Sequence, residues 1–425
     1  VLKVNSFKIR DVKAREILDC RGEPTLQVEV ITENGFIGTA DVPSGRSRSS
    51  YEAFELRDGG GRYRGKGVLK AVKNVNEIIA PALRGRDVRK QREIDMLLIE
   101  LDGTENKSRL GGNAIVGVSL AVAKTAANAL GIPLYRYIGG VNAHVLPVPI
   151  LDLIEGGKLA ASGLDFQEHQ AIPIGAKSFS EAIRIGLEVY YELGAILENR
   201  YGKFSLNVGV EGGYAPHGMR DPREALEAIL KAIEELGYQD KFVLGLDCAA
   251  THLYDKKSGK YNLMGREFTR EELIDFYEDL VSTYPVKSIE DPLEENDFEG
   301  FAQLTRELNI QIIGDDLFAT NIKRLRRGIE MRAANAILLK VNQAGTLTET
   351  LDVADLAFRS GYAVIVSERS GQTADTWLAD LAVALNAGQI KTGVTRGERT
   401  AQYNRLLIIE EELGPIAKYA GRNYH

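Results

Sequence analysis

The sequence predicts an α/β protein: a small α+β region over residues 1–140, followed by a β/α barrel over residues 141–425. Three observations predict it. In the second region, short apolar runs alternate with amphipathic helices, the pattern of parallel strands joined by helical crossovers. The runs "LNVGVEG", "FVLGLDCA", "VKSIED", "IQIIGDD", "AILLKVN", "AVIVSERS" and "GQIKTG" close on polar side chains: Glu211, Asp247, Glu290, Asp315, Lys340, Arg369 and Lys391. The step from Glu290 to Asp315 to Lys340 is 25 residues each time, one strand–helix unit. A doubly wound sheet would string such groups along a line. A barrel gathers the carboxyl ends of its strands on one face, so the barrel is the simpler account of so many charges in equivalent places.

Within the first region, "FKIRDVKAREIL", "TLQVEVI" and "GFIGTADV" have strand character, and "TENG" joins the last two as a hairpin. Helices are expected over Leu69–Leu83, Val88–Leu101 and "NAIVGVSLAVAKTAANALG", the last rich in small residues and interrupted by Lys124. That helix reads as a buried one packed close to its neighbours, not as a membrane span. "YIGGVNAHVLPVPILD" supplies two glycines and two prolines, a junction between the regions. Beyond it, "TREELIDFYEDLVSTY", "FEGFAQLTRELN" and "LTETLDVADLAFRSG" are the crossover helices.

With 425 residues the chain can build a full core, and 44% hydrophobic with 27% charged residues is ordinary for a soluble globular protein. A net charge of -7 argues against nucleic acid or an anionic membrane as partner, since both need a basic footprint. The opening "VLKVNSFKIRDVKAREILD" lacks the apolar core of a signal peptide, and Cys20 and Cys248 suggest neither a disulfide framework nor a zinc site. A cytoplasmic location is expected.

Asp247, Glu290 and Asp315, on three strand ends, form an oxygen-only ligand set of the kind that suits Mg²⁺; histidine and cysteine are missing from those ends, which counts against zinc. Lys340 and Lys391 lie further round the same rim. A lysine close to other cations has its neutral form favoured and can act as a base. A hard cation opposite such a base is apparatus for taking a proton from carbon beside a carboxylate. Asp291, Glu294, Glu295 and Asp297 read as helix N-terminal or solvated acids, and Asp316 as a cap or an orienter of Asp315.

These stretches carry a family resemblance. "AREILDCRGEPTLQVEV", "ELDGTENKSRLGGNAIVGVSLAVAKTAA", "KSIEDPLEENDFEG", "IIGDDLFATN", "LLKVNQAGTLTET" and "GQIKTG" resemble enolase, almost end to end. The resemblance implies an N-terminal α+β capping domain and an eight-stranded TIM-like barrel with irregular first units. It implies a Mg²⁺-dependent lyase that converts 2-phosphoglycerate to phosphoenolpyruvate, a homodimer or octamer, and a small anionic phosphorylated or carboxylate substrate. By position, Asp247, Glu290 and Asp315 match the ligands of one Mg²⁺, and Ser47 the loop serine that joins a second Mg²⁺ with substrate. Lys340 matches the C2 base, Glu211 the acid that helps the C3 hydroxyl leave, and Glu168 its partner. Lys391 matches the contact to the substrate carboxylate, and Arg369 and Ser370 the contacts to its phosphate.

Departures cluster at the site. The family's Ser-Gly-Ala-Ser-Thr-Gly loop is "SGRSRSS", placing Arg46 and Arg48 around Ser47 and Ser49 where glycine is usual. Leu159 and Ser162 replace a histidine and an asparagine, Val210 an aspartate, and Glu368 and Gln372 a histidine and a glutamate. Glu368 adds negative charge beside an anionic pocket, so Arg46 or Arg48 is expected to pair with it when the loop closes. Two other functions fit the changed loops: proton abstraction from a different carboxylate, or a non-catalytic binding role, against which the complete metal and base set speaks.

Overall fold

The computed structural model describes residues 7–45 and 49–421; Arg46, Ser47 and Arg48 lie outside the described residues, and with them the expected loop serine and both loop arginines. The first region opens with a three-stranded antiparallel sheet, β1 (Ile9–Leu18), β2 (Pro24–Thr32) and β3 (Ile37–Asp41), in that spatial order. The apolar residues of β2 and β3 face the helix Gly112–Leu130, which is buried over most of its length. Its small residues permit the close approach: a Cβ on Gly117 would lie 2.7 Å from Val28, and the Thr125 hydroxyl donates to the Val30 carbonyl. By length and composition the helix is apolar enough to cross a bilayer, yet 78% of its most apolar window is packed inside this domain.

The expected Leu69–Leu83 helix is an α-turn, a π-helical stretch Val75–Ile79, and a final turn Ala80–Leu83; the second helix begins at Gln91, three residues later than its pattern suggests.

Eight strands then close a barrel: β4 (Val148–Glu155), β5 (Glu168–Ile172), β6 (Val243–Asp247), β7 (Val286–Glu290), β8 (Gln311–Gly314), β9 (Ala336–Leu339), β10 (Ala363–Ser367) and β11 (Gly388–Lys391). β5 runs antiparallel to both of its neighbours, and the other pairings are parallel. Alternate residues of the strands (Val148, Ile150, Ile172, Ile313, Ala336, Leu338, Ile365) form a separate apolar cluster, the filled interior of the barrel. Their neighbours along each strand pack outward against the crossover helices. Those helices start where the sequence marks them: Asp221 and Thr269 close capping boxes, each worth on the order of 1 kcal/mol.

Two readings of the chain are corrected here. "LNVGVEG" is not a strand; residues 208–214 form a loop with only isolated bridges, Val208 to Tyr214 and Ile154 to Tyr214. The barrel is completed instead by β4, most of which lies in the stretch read as a junction, and by β5, "EHQAI", too polar to stand out as a buried strand.

Candidate active site

Backbone register builds the site. Glu155 pairs with Glu168 across the β4–β5 ladder, Glu168 with Asp247 across β5–β6, and Asp247 with Glu290 across β6–β7. Four adjacent strands therefore bring an acid to the same level of the barrel mouth. Lys391 closes the ring from β11, opposite Ser367 of β10. Its ammonium donates to Glu168 and Glu290, both at 2.8 Å, and to Asp247 at 3.1 Å. Burial works against that charge, but the carboxylates outweigh it and hold Lys391 well above the usual lysine range.

Asp315 and Lys340 follow β8 and β9. The Lys340 Nζ lies 2.5 Å from Asp315 Oδ2, while Gln343 donates to Asp315 Oδ1 at 2.9 Å. Burial disfavours the Lys340 ammonium and Asp315 favours it; Asp315 prevails, so the lysine sits above its ordinary pKa. In this arrangement Lys340 is charged, the reverse of the neutral form expected beside cations. The neutral form requires Asp315 to be engaged elsewhere.

Asp291 is neither solvated nor a helix-terminal acid. It is buried, has φ of 42°, and accepts the backbone N–H groups of Asp315 at 3.0 Å and Asp316 at 2.8 Å, fixing the turn that carries Asp315. Asp316 caps no helix; Asn321 does, and burial beside Asp315 pushes Asp316 up to about 8. Glu295 is also buried and receives the Ser49 hydroxyl at 2.7 Å, whereas Asp297 is the helix N-cap its position suggested.

The donor set fits Mg²⁺. Glu290, Asp291 and Asp315 present oxygens within 4.8 Å of one another; Asp247, expected in the set, is outside that group and meets Glu290 only at the shared Lys391 ammonium. Hard oxygen donors at this spacing suit one small divalent cation.

Across the cavity stands a second carboxyl cluster, Asp152, Glu168 and Glu211, again within 4.8 Å. Gln170 Nε2 donates to both Asp152 and Glu168, at 3.1 and 3.0 Å. Among the described residues Asp152 Oδ2 has no hydrogen-bond partner, and burial together with the Glu168 charge raises the Asp152 carboxyl well above the usual carboxylate range. Environment drives the catalytic candidates apart. Burial, Glu168 and Glu368 push Glu211 well above the carboxylate range, whereas for Glu168 the Lys391 charge overcomes burial and holds it below. One carboxyl is kept neutral and its neighbour ionised, the condition that separates an acid from its partner.

Asp247, Asp315, Lys340, Lys391, Glu168, Glu211, Arg369 and Ser370 line one cavity of about 40 Å³, roofed by Leu159. Leu159 also borders a cavity of about 690 Å³ that reaches Val210, Arg21, Arg57 and Arg396. Arg369 is gripped by Glu52, with Nη1 donating to Oε2 at 2.7 Å and Nη2 to Oε1 at 3.2 Å. Ser370 Oγ accepts from Arg21 at 3.3 Å. Gln372 accepts the Arg369 N–H at 3.5 Å, and the Ser162 hydroxyl accepts the Leu164 N–H at 3.3 Å.

Glu368 finds two partners among the described residues, which do not include Arg46 and Arg48. Arg399, from the helix Gly397–Leu413, forms an ion pair with it, and Thr392 donates to it at 2.7 Å. The extra acid comes with its own buried cation.

Sequence reasoning missed Glu52, Asp152, Glu155 and Arg399. A polar residue at a strand end was the signal used elsewhere, and it would have found Glu155 had β4 been read as a strand.

His169, between Glu168 and Gln170, gives a pH prediction. It is fully buried, its Nδ1 lies 3.4 Å from the Ile154 carbonyl, and burial pushes its pKa down to about 4. The unfolded chain takes up a proton near pH 6.5 that the fold refuses, so stability present above that pH is lost as pH falls toward 4, by about 3 kcal/mol in all. His169→Phe should remove this component, seen as a flatter dependence of urea midpoint on pH between 6.5 and 4.

The fold and the site together define a β/α-barrel enzyme whose mouth gathers two clusters of buried carboxyl groups and two amines. Family models agree: "Enolase, N-terminal domain" matches residues 9–138 and "Enolase, C-terminal TIM barrel domain" matches residues 143–425. The chain is 58% identical over 419 residues to "Enolase" from Methanocaldococcus jannaschii, covering 98% of each chain. It is 59% identical over 425 residues to the proteins of that name from Thermococcus gammatolerans and Pyrococcus furiosus, covering 99% of this chain and 98% of each of theirs. The chain belongs to the enolase family and is an enolase-type hydro-lyase.

Proposed function

We propose that this chain catalyses the reversible dehydration of 2-phosphoglycerate to phosphoenolpyruvate, with residues 141–425 carrying the chemistry and residues 1–140 capping the barrel mouth. The observation that supports it most is the opposed ionisation of Glu211 and Glu168 in the cavity that also holds Lys340. Neutral Lys340 takes the proton from C2. The electron pair of that bond moves first onto the substrate carboxylate as an enediolate. In a second step it returns to form the second C2–C3 bond as the C3–O bond breaks, and Glu211 gives its proton to the departing hydroxyl, which leaves as water. Lys340 ends protonated and Glu211 ionised, so each must exchange one proton with solvent before the next turnover.

Asp247, Glu290 and Asp315 would hold Mg²⁺, whose charge stabilises the negative charge that develops on the substrate carboxylate. Engagement of Asp315 in that role would free Lys340 from its ion pair. Lys391 is positioned to meet the substrate carboxylate, and Arg369 with Ser370 the phosphate, which must share Arg369 with Glu52. Ser47 completes this reading as the loop ligand of a second Mg²⁺. A homodimer or octamer in the cytoplasm is part of the same proposal.

The test is absorbance growth at the ultraviolet band of phosphoenolpyruvate. Turnover of 2-phosphoglycerate with Mg²⁺, lost on chelation and restored by added Mg²⁺, is expected. Leu159, an apolar roof over an anion site, is the feature that would favour another acid. Failure to turn over 2-phosphoglycerate, with Mg²⁺-dependent thermal stabilisation by a different small carboxylate, would overturn the substrate assignment.

A further inference from the structure

We infer that Glu155 is a positioning residue for the acid step, the anchor around which the 208–214 loop folds and which fixes where the Glu211 carboxyl meets substrate. The inference rests on the assignment of Glu211 as the acid. Glu211 needs such an anchor because it stands on no strand, unlike Asp247, Glu290 and Lys391.

The Glu155 carboxylate accepts the Glu211 backbone N–H at 3.1 Å to each oxygen and the Gly213 N–H at 2.6 Å to Oε1. Its own N–H donates to the Tyr214 carbonyl at 2.9 Å, and the Gly209 N–H donates to the Gly213 carbonyl at 2.9 Å, closing the loop on itself. Two glycines make room for this. A Cβ on Gly209 would lie 2.2 Å from Glu155 Oε2, and one on Gly213 would lie 2.2 Å from the Asp152 carbonyl. The backbone thus turns the N–H groups of Glu211 and Gly213 onto the carboxylate, much as an anion-binding nest does. On the far side, Tyr190 and Thr395 each donate to the Gly212 carbonyl at 2.9 Å. The loop is clamped between a carboxylate and two hydroxyls, with Glu211 projecting from the clamp into the cavity.

A fully buried acid close to Glu168 and Glu211 opposes folding unless its oxygens are satisfied. Here they are satisfied by the loop that bears the acid. Placement, not bulk stability, is therefore the function assigned, because errors in catalytic geometry of about 1 Å are felt strongly in rate.

Glu155→Met keeps the length of the side chain and removes both acceptors. Because Glu155 acts through Glu211 and not through Lys340, the variant should separate two half-events. Dehydration kcat is expected to fall about 100-fold, within the span of general acid catalysis, with KM for 2-phosphoglycerate and for Mg²⁺ changed less than about 3-fold. Exchange of the C2 proton of 2-phosphoglycerate with deuterated water should persist near the wild-type rate. Glu155→Gln, which retains Oε1 toward both N–H groups, should recover kcat to within about 10-fold. Should Glu155→Met not fold, Gly209→Ala, whose Cβ displaces the same carboxylate, is expected to show the same split. Unchanged dehydration in the folded variant, or loss of exchange and dehydration in equal proportion, overturns the inference. Glu211→Gln is the control: if it still dehydrates, the acid assignment is wrong; if it blocks dehydration while the Glu155 and Gly209 variants do not, only the Glu155 inference is wrong.

Discussion

Lys340→Ala lowers exchange of the C2 proton and with it turnover by a factor of about 10²–10⁴, while the chain stays folded and still binds Mg²⁺. The expectation follows from what the amine touches. Its Nζ faces Asp315 at 2.5 Å and shares the cavity with Glu211, and Lys391, the other amine there, is held by three carboxylates. Truncation leaves no base on that side. It also removes the ammonium that competes for Asp315, so affinity for Mg²⁺ should be maintained or rise. Deuterium exchange followed by proton NMR reports the first quantity, and calorimetric titration of the variant with Mg²⁺ reports the second. Loss of both in equal measure would mean that Lys340 is a structural counter-ion and that the base lies elsewhere.

Lys391→Met is expected to cost about 3–5 kcal/mol in stability, the penalty for stripping the cation from a buried charge cluster. Lys391 has only 5% of its side chain exposed and neutralises Glu168, Asp247 and Glu290 together. Without it these acids repel one another and take up protons in the folded state: Asp247 and Glu290, already raised by burial, rise further, and Glu168, held low by Lys391, rises with them. Stability of the variant is then fully present below the unfolded carboxylate range and declines as pH rises through the raised values, which widens the gap to wild type toward neutral pH. Mg²⁺ binds the folded state and should return part of the loss in proportion to the logarithm of its concentration. Urea unfolding at two pH values, with and without Mg²⁺, checks all three points. A change under about 1 kcal/mol that is indifferent to Mg²⁺ would place the ammonium outside the cluster's energetics.

Much of the site was legible because a parallel strand with a helical crossover leaves two marks in sequence: an apolar run, then a polar residue where the run stops. Asp247, Glu290, Asp315, Lys340 and Lys391 carry both marks; the closed barrel gathers Asp247, Asp315, Lys340 and Lys391 in one cavity, with Glu290 bound to Lys391 beside it. The marks fail on the opposite arc. β4 contains a proline and two acids, and β5 is mostly polar, because both turn hydrogen-bonding groups toward Lys391 and toward one another; neither offers an apolar run. Glu211 misled in the other direction. "LNVGVEG" has strand composition, but its glycines serve closure around Glu155 and not pairing. The partner of Glu368 was illegible for a different reason: a buried acid announces that it needs a cation without saying which, and Arg399 arrives from a helix beyond the next strand.

The reversed direction of β5 has a consequence for how this barrel can change. A parallel neighbour must be reached by a crossover along the outside of the molecule, but β4 and β5 are joined at the mouth itself, by residues 156–167. The ceiling over the reacting atoms, Leu159 included, is therefore a hairpin tip whose two feet are Glu155 and Glu168. Phe166, packed against Phe276 and Tyr277, and the buried Leu164 tie the tip into the core, so exchange is freest in the stretch around Leu159, which carries no strand register. Selectivity for one acid over another can drift in that tip while the proton-transfer groups beneath it stay fixed.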